Sequence, residues 1–386
     1  MLFSEMQPLP RILLALALAA AIALGSTPFV MRFARRVGAM DIPDHKRHIH
    51  THPIPRMGGM AIFLGFLFSV LLFIPVTRSI QGILIGTVII VATGVVDDII
   101  SLKYYIKFGL QILAAAVAVY HGVVIEGLMN PLVFSNDDML FMGFLRVPVT
   151  ILWIVGITNA VNLIDGLDGL ACGVSAISSL TMLVVAMLVA ELDVALMLSA
   201  LAGACLGFLP YNFNPAKIFM GDTGALLLGY VLATVSIVGL FKFYAIITFI
   251  VPILALALPL FDTLFAIFRR LLRGQNPMTP DRGHLHHRLI DHGLSQKQAT
   301  AVLYSLSAML GLTAVVITTT GRLRLLLLIV DILFATGAGF FTYYVIEHPA
   351  RDATIFHGSD EADGASGEAA EDGDGGALSD QGDKEE

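Results

Sequence analysis

The sequence predicts an all-α polytopic membrane protein with about eleven transmembrane helices. Three observations carry this. Of its 386 residues, 56% are hydrophobic and only 14% are charged, against about 25% charged in soluble domains. The mean hydropathy is +0.82. Apolar runs recur near the ~20 residues that a helix needs to cross a bilayer. They are continuous rather than alternating, which excludes a transmembrane barrel.

The net charge of −7 conceals two different parts. Residues 351–386 hold twelve acids and two bases, a charge of −10, and the remaining 350 residues carry +3. Almost no large apolar residue follows Phe356. The chain is therefore expected to comprise a membrane-embedded domain over residues 1–350 and an acidic, disordered cytoplasmic tail over 351–386. Cys172 and Cys205 both lie in apolar helical runs and read as small core residues, not as a disulfide framework or a metal site.

The predicted spans are residues 12–32, 57–77, 80–97, 105–122, 147–164, 171–190, 193–211, 223–241, 244–268, 299–319 and 323–345. The first is too long for the apolar core of a signal peptide, and Arg32, Arg35 and Arg36 follow it instead of preceding it. It reads as a retained span with the N-terminus outside. The inward loops are then 33–56, 98–104, 165–170, 212–222 and 269–298. This orientation puts seventeen Lys and Arg residues inside and six outside, as the positive-inside rule requires. It also gathers every polar cluster described next on the cytoplasmic face.

The first inward loop, MDIPDHKRHIHTHPIPRMGG (40–59), is broken by Pro43, Pro53, Pro55, Gly58 and Gly59. Lys46, Arg47, His48, His50, His52 and Arg56 make it basic, which serves either as an orientation signal or as an anion site. Its histidines lack the cysteine or carboxylate pattern of a zinc centre. In VVDDIISLKYYIKFGLQ (95–111), Asp97 and Asp98 stand where the third span leaves the bilayer, and Lys103 and Lys107 are neighbours one helical turn apart. An aspartate pair can hold Mg²⁺ or accept a proton, and Lys107 suits a phosphate. An interfacial salt-bridge patch is the alternative.

The stretch NAVNLIDGLDGL (159–170) follows an apolar run and spaces Asn159, Asn162, Asp165 and Asp168 three residues apart. In a helix that spacing forms one slowly turning polar face. Gly166 and Gly169 argue against a regular last turn. Acids at such a helix end are costly unless they meet a cation or water. In GFLPYNFNPAKIFMGDTGALLLGY (207–230), Pro210 and Pro215 are expected to break the helix, and Asn212 and Asp222 stand out among small residues. The ninth span contains Asp262 and leads into a loop with Arg269, Arg270, Arg273, Arg282, His284, His286, His287 and Arg288. Arginine and histidine together suit a pyrophosphate. Ser295 reads as a helix N-cap. Outward residues Asn136, Asp137 and Asp138 carry no evident chemistry, and Asp331 in the last span is given no role.

Together the inward clusters supply oxygen ligands for a hard cation and positive charge for phosphates. These four motifs, NAVNLIDGLDGL, VVDDIISLKYYIKFGLQ, GFLPYNFNPAKIFMGDTGA and PDRGHLHHRL, resemble in order those of the polyprenyl-phosphate N-acetylhexosamine-1-phosphate transferases. The forms HTHPIPRMGG and DRGHLHHRL are more similar to the branch that uses UDP-N-acetylglucosamine than to the branch that uses UDP-N-acetylmuramoyl-pentapeptide.

The resemblance implies transfer of GlcNAc-1-phosphate from UDP-GlcNAc to undecaprenyl or decaprenyl phosphate, with release of UMP, at a bacterial cytoplasmic membrane, to begin a cell-envelope polysaccharide. It implies Mg²⁺, held by Asp222 with Asn162 as a second ligand; Mn²⁺ suits the same oxygens. It implies catalytic roles for Asp97, Asp98 and Asp165, a uracil contact for Asp168, and diphosphate or nucleotide contacts for Lys107, Asn159, Asn212, His284, His286, His287 and Arg288. The implied partners are the sugar nucleotide and the lipid, not nucleic acid, and a homodimer is compatible with the sequence. The rival donors are UDP-MurNAc-pentapeptide and another UDP-acetamido sugar. A secondary transporter is the rival class, and it would need polar clusters at mid-membrane and an internal repeat.

Overall fold

A computed structural model describes residues 6–42, 52–129, 139–239, 246–272, 274 and 284–347. The acidic tail, Lys46, Arg47, His48, His50, Asn136, Asp137, Asp138, Arg273 and Arg282 lie outside these. Every predicted span falls on helix. The first eight are α1 (Pro8–Val37), α2 (Gly59–Phe73), α3 (Arg78–Ile100), α4 (Tyr104–Tyr120), α5 (Arg146–Leu163), α6 (Leu170–Leu188), α7 (Leu192–Asn212) and α8 (Gly221–Gly239). The predicted ninth span is divided between α9 (Ile246–Ala255) and α10 (Ala257–Leu272). A short helix, α11 (Leu285–Asp291), precedes the last two spans, α12 (Gln296–Thr318) and α13 (Gly321–Glu347). Eight of the described helices are long and apolar enough to cross a membrane, while α2 and α4 are shorter apolar helices. The chain is an all-α, multi-pass membrane protein.

Two small antiparallel ribbons complete the described residues. β1 (Met40–Asp41) pairs with β2 (Ile54–Pro55), and β3 (Gly127–Met129) pairs with β4 (Met139–Phe141).

The ends of the helices follow their sequences. Gly38 ends α1 in the left-handed conformation, its N–H donating to the Ala34 carbonyl. Ser295 opens α12 through a full capping box with Gln298. Pro210 does not break α7, contrary to expectation. The helix runs on to Asn212, and Phe213 N still donates to Leu209 O at 2.9 Å. The proline lacks only its own N–H to the Leu206 carbonyl, and the helix continues for two residues beyond it.

Helix α8 is the buried axis of the bundle, with α2, α3, α5, α6 and α7 packed around it. Beside it, α1 lies along α7 at very close range. A Cβ on Gly203 would stand 2.2 Å from Leu16 O, and one on Gly207 would stand 2.2 Å from Ala20 O. Ala15, Ala19 and Ala23 form the matching buried stripe of α1. Lipid is as apolar as leucine, so helices in a membrane associate through such close backbone packing. Arg11 closes the far end of α1 by donating to the Phe73 carbonyl at the end of α2. In contrast, α13 turns Leu325, Leu333 and Phe340 outward, as a lipid-facing helix does.

A Gly207→Val substitution should force α1 and α7 apart and lower stability by about 1–3 kcal/mol or more. Leu152→Val, at a residue 72% exposed, should be close to neutral. Thermal unfolding of the detergent-purified protein, followed by size-exclusion chromatography, checks the contrast.

Candidate active site

The site is built on the N-terminus of α8. A helix start leaves backbone N–H groups without partners and favours negative charge. Asp98, buried at the end of α3, meets that need from across the bundle. Its Oδ1 accepts from Asp222 N at 3.0 Å, and its Oδ2 accepts from Thr223 N at 3.1 Å and Thr223 Oγ1 at 2.6 Å. Its carboxylate therefore seats the residue beside it in the site, Asp222. Gly94, one turn earlier on α3, lets Thr223 approach: a Cβ there would lie 2.3 Å from Thr223 Cα.

The basic loop supports the same platform. Phe219 N donates to Pro55 O, Gly58 N to Phe219 O and Gly59 N to Met220 O, at 2.9, 3.0 and 2.9 Å. Arg56 Nη2 stands 3.5 Å from Asp98 Oδ1.

Beside this platform, three helices bring opposite charges together. Lys107 Nζ of α4 lies 3.0 Å from Asp97 Oδ2 of α3 and donates a second, short hydrogen bond to Asp222 Oδ2 of α8. Asn162 of α5 donates through Nδ2 to the other oxygen of Asp222 at 2.8 Å. Leu102 N donates to Asp97 Oδ1 at 2.7 Å, which turns the second oxygen of Asp97 toward the lysine. Two carboxylates thus converge on one cation. Magnesium is commonly held by one or two carboxylates together with water and substrate phosphates, and this donor set suits it. Among the described residues no group of three or more His, Cys, Asp or Glu forms a metal cage.

The four polar residues of NAVNLIDGLDGL do not share one helical face. Helix α5 stops at Leu163, so Asn159 and Asn162 are helical while Asp165 and Asp168 lie on the connecting turn to α6. The glycines account for this: Gly169 has φ +75°. Asn159 faces α4, donating to Gln111 Oε1 at 2.6 Å and to Val155 O at 2.8 Å. Asp168 accepts from Asn214 Nδ2 at 2.9 Å and Ala216 N at 3.0 Å, and so ties the turn to the segment before α8. Asn212 is buried and donates to Ile218 O at 3.0 Å.

Asp165 accepts no hydrogen bond among the described residues. Burial, and then the negative charges of Asp222 and Asp98, raise its carboxyl from 3.8 to about 8. It is therefore a neutral acid near pH 7.

The histidine loop approaches from the other side. Asp262 Oδ2 lies 2.8 Å from His284 Nδ1, and its Oδ1 accepts from Leu285 N at 2.8 Å, capping α11. His286 is buried and stacks on His284, with ring centroids 5.8 Å apart. Burial first, and then the charge of His287, lower it from 6.5 to about 4. Its ring rests on Gly166, where a Cβ would stand 2.2 Å from His286 Nε2. His287 packs beside it with centroids 4.3 Å apart, and Arg288 is exposed on α11.

Several residues of the site were given no individual role from sequence. Asp262 had a signal, an acid inside an apolar span. Arg56 was one of six bases in its loop. Gln111 and Tyr304 had none; Tyr304 on α12 donates to Gly169 O at 2.6 Å and so holds the turn between α5 and α6.

Two predictions follow from the turn at 164–169. The fold favours neutral Asp165, so raising the pH above 3.8 ionises the unfolded chain first, and stability falls until about pH 8. Asp165→Asn should remove this loss. Its thermal midpoint should exceed that of the wild type by more at pH 8 than at pH 5, and a gap independent of pH would contradict the assignment. Gly166→Ala should drive the His286 ring out of its seat and reduce activity well before it reduces the thermal midpoint.

Residues 80–240 match the family model described as glycosyl transferase family 4. The chain is 39% identical over 326 residues to a probable undecaprenyl-phosphate N-acetylglucosaminyl 1-phosphate transferase of Bacillus subtilis, covering 84% of this chain and 90% of that protein. It is 36% identical over 325 residues to a decaprenyl-phosphate N-acetylglucosaminephosphotransferase of Mycolicibacterium smegmatis, covering 77% and 80%. A phospho-N-acetylmuramoyl-pentapeptide-transferase of Streptococcus uberis is 35% identical over 219 residues, covering 53% of this chain and 65% of that protein. The matched family region contains Asp97, Lys107, Asn162 and Asp222, the residues that meet at the start of α8, and the chain belongs to the polyprenyl-phosphate N-acetylhexosamine-1-phosphate transferase superfamily.

Proposed function

We propose that this protein transfers N-acetylglucosamine-1-phosphate from UDP-GlcNAc to a polyprenyl phosphate, giving polyprenyl-diphospho-GlcNAc and UMP. The observation that carries the reading is the 39% identity, across nine-tenths of its length, to a transferase named for this sugar and this lipid. Two relatives named for the muramoyl-pentapeptide match smaller shares of the chain, 53% and 69%, at 35% and 32% identity.

In this reading an oxygen of the lipid phosphate attacks the phosphorus next to the sugar. The bond from that phosphorus to the UMP oxygen breaks, and UMP leaves. Phosphoryl transfer of this kind depends on positioning and on stabilising charge. Asp222 and Asp97, with Asn162, would hold Mg²⁺, which when bound neutralises charge on the diphosphate.

Lys107 would offer its ammonium to a phosphate. Asp97 would orient the lipid phosphate, which is already largely ionised near neutral pH and needs no strong base. Asp98 would act through Asp222, by fixing the start of α8. Asp165 is a neutral acid able to give a proton to a phosphate oxygen. The turn holding Asp168 and the loop holding His284, His287 and Arg288 would receive the nucleotide. His286 would shape that loop as a neutral ring. The excess of Lys and Arg on the same side supports a cytoplasmic site in the bacterial cytoplasmic membrane.

The test is UMP release by the full chain in detergent, with Mg²⁺ and undecaprenyl phosphate, offering UDP-GlcNAc, UDP-GalNAc and UDP-MurNAc-pentapeptide in parallel. Lipid-dependent UMP is expected from UDP-GlcNAc alone. Chelation should abolish it, and Asp222→Ala should lower it by about 100-fold or more. Release from another donor would keep the chemistry and change the sugar. No release by folded protein from any of the three would overturn the reading.

A further inference from the structure

The charges at the start of α8 do not balance. Three carboxylates, Asp97, Asp98 and Asp222, stand against two cations, Lys107 and Arg56. Lys107 is held between two carboxylates. Arg56 is differently placed. Its nearest acid, Asp98, already accepts three hydrogen bonds from Asp222 and Thr223. At 3.5 Å, Arg56 adds an ion pair to Asp98 but no hydrogen bond. Among the described residues its guanidinium donates no hydrogen bond, and its side chain is 31% exposed while that of Asp98 is 0%. A planar fork of donors thus stands at the open edge of a buried acidic cluster.

The backbone beneath Arg56 is fixed. Arg56 N donates to Ala39 O at 2.9 Å, and its two flanks are bonded to Phe219. The next residue, Met57, is fully buried at φ +87°, a conformation that non-glycine residues hold only where packing dictates it. Such support keeps a side chain in position ahead of a ligand, so less is lost on binding. The guanidinium fork of Arg56, partly open to solvent, matches the oxygens of a phosphate.

We propose that Arg56 is a substrate-contacting residue that receives phosphoryl oxygens at the mouth of the Asp97–Asp98–Asp222 cluster. The proposal rests on the transferase reading, in which two phosphate-bearing molecules meet there: the sugar nucleotide, through its diphosphate, and the lipid phosphate. Arg56 then differs from Asp98, which builds the platform, and from Lys107, which lies between the two carboxylates.

The test uses the full-length protein with Arg56→Gln and Arg56→Lys, measuring kcat, KM for each substrate separately, and the thermal midpoint. Arg56→Gln should lower kcat/KM by about 10- to 100-fold, the usual consequence of losing a charge-assisted hydrogen bond, with a thermal midpoint close to wild type. Arg56→Lys, a charge without the fork, should recover part of the loss. A rise in KM for UDP-GlcNAc alone assigns the contact to the diphosphate, and a rise for the polyprenyl phosphate alone assigns it to the lipid.

Wild-type kinetics in Arg56→Gln would overturn the proposal, as would a loss that follows a fallen thermal midpoint and is not recovered by lysine. If the wild type released no lipid-dependent UMP, the transferase reading would fail. Calorimetric binding of UDP and of undecaprenyl phosphate would then decide on Arg56 separately, equal affinity for both in wild type and Arg56→Gln overturning the contact and a loss of affinity for either supporting it.

Discussion

The arrangement depends on placing one ammonium between two carboxylates at the end of a membrane helix. Lys107, Asp97 and Asp222 come from α4, α3 and α8, and Asn162 adds α5. Charges taken out of water are costly when single and tolerable when paired and hydrogen-bonded. The contact therefore draws four helix ends to one point. The interaction that gathers the helix ends thus also gathers the two carboxylates of the site.

The site needs a rigid base, which the small residues provide. Gly94 brings α3 to within contact of the start of α8, and Gly203 and Gly207 bring α7 against the backbone of α1. Without side chains at these points the helices approach closely enough for Asp98 to cap α8 directly. Asp97 and Asp98 are neighbours in sequence with separate tasks. One faces the lysine and the other the backbone of α8, because successive helical residues point about 100° apart.

Around this base the polar loops interlock. Tyr304 and Asp168 hold the turn after α5, His286 lies on Gly166 of the same turn, and Asp262 holds His284. These segments restrain one another, so a change in one of them should be felt at the others.

The sequence by itself determined the class of fold, the placing of most helices and the motifs. Each of these depends on local quantities: the length of an apolar run, a capping residue such as Ser295, the order of short polar stretches. The division of the ninth span was not legible, and neither was the passage of α7 through Pro210, because both depend on what the neighbouring helices supply. Within the site, the residue types were legible and their partners were not. Only the tertiary structure decided that Asp98 caps a helix more than a hundred residues away in the chain, that Asn159 meets Gln111, that Asp262 belongs with His284, and that Arg56 reaches the acidic cluster. A hydrogen bond or ion pair is fixed by distance and direction between atoms, and a pattern of residue types along one chain carries neither.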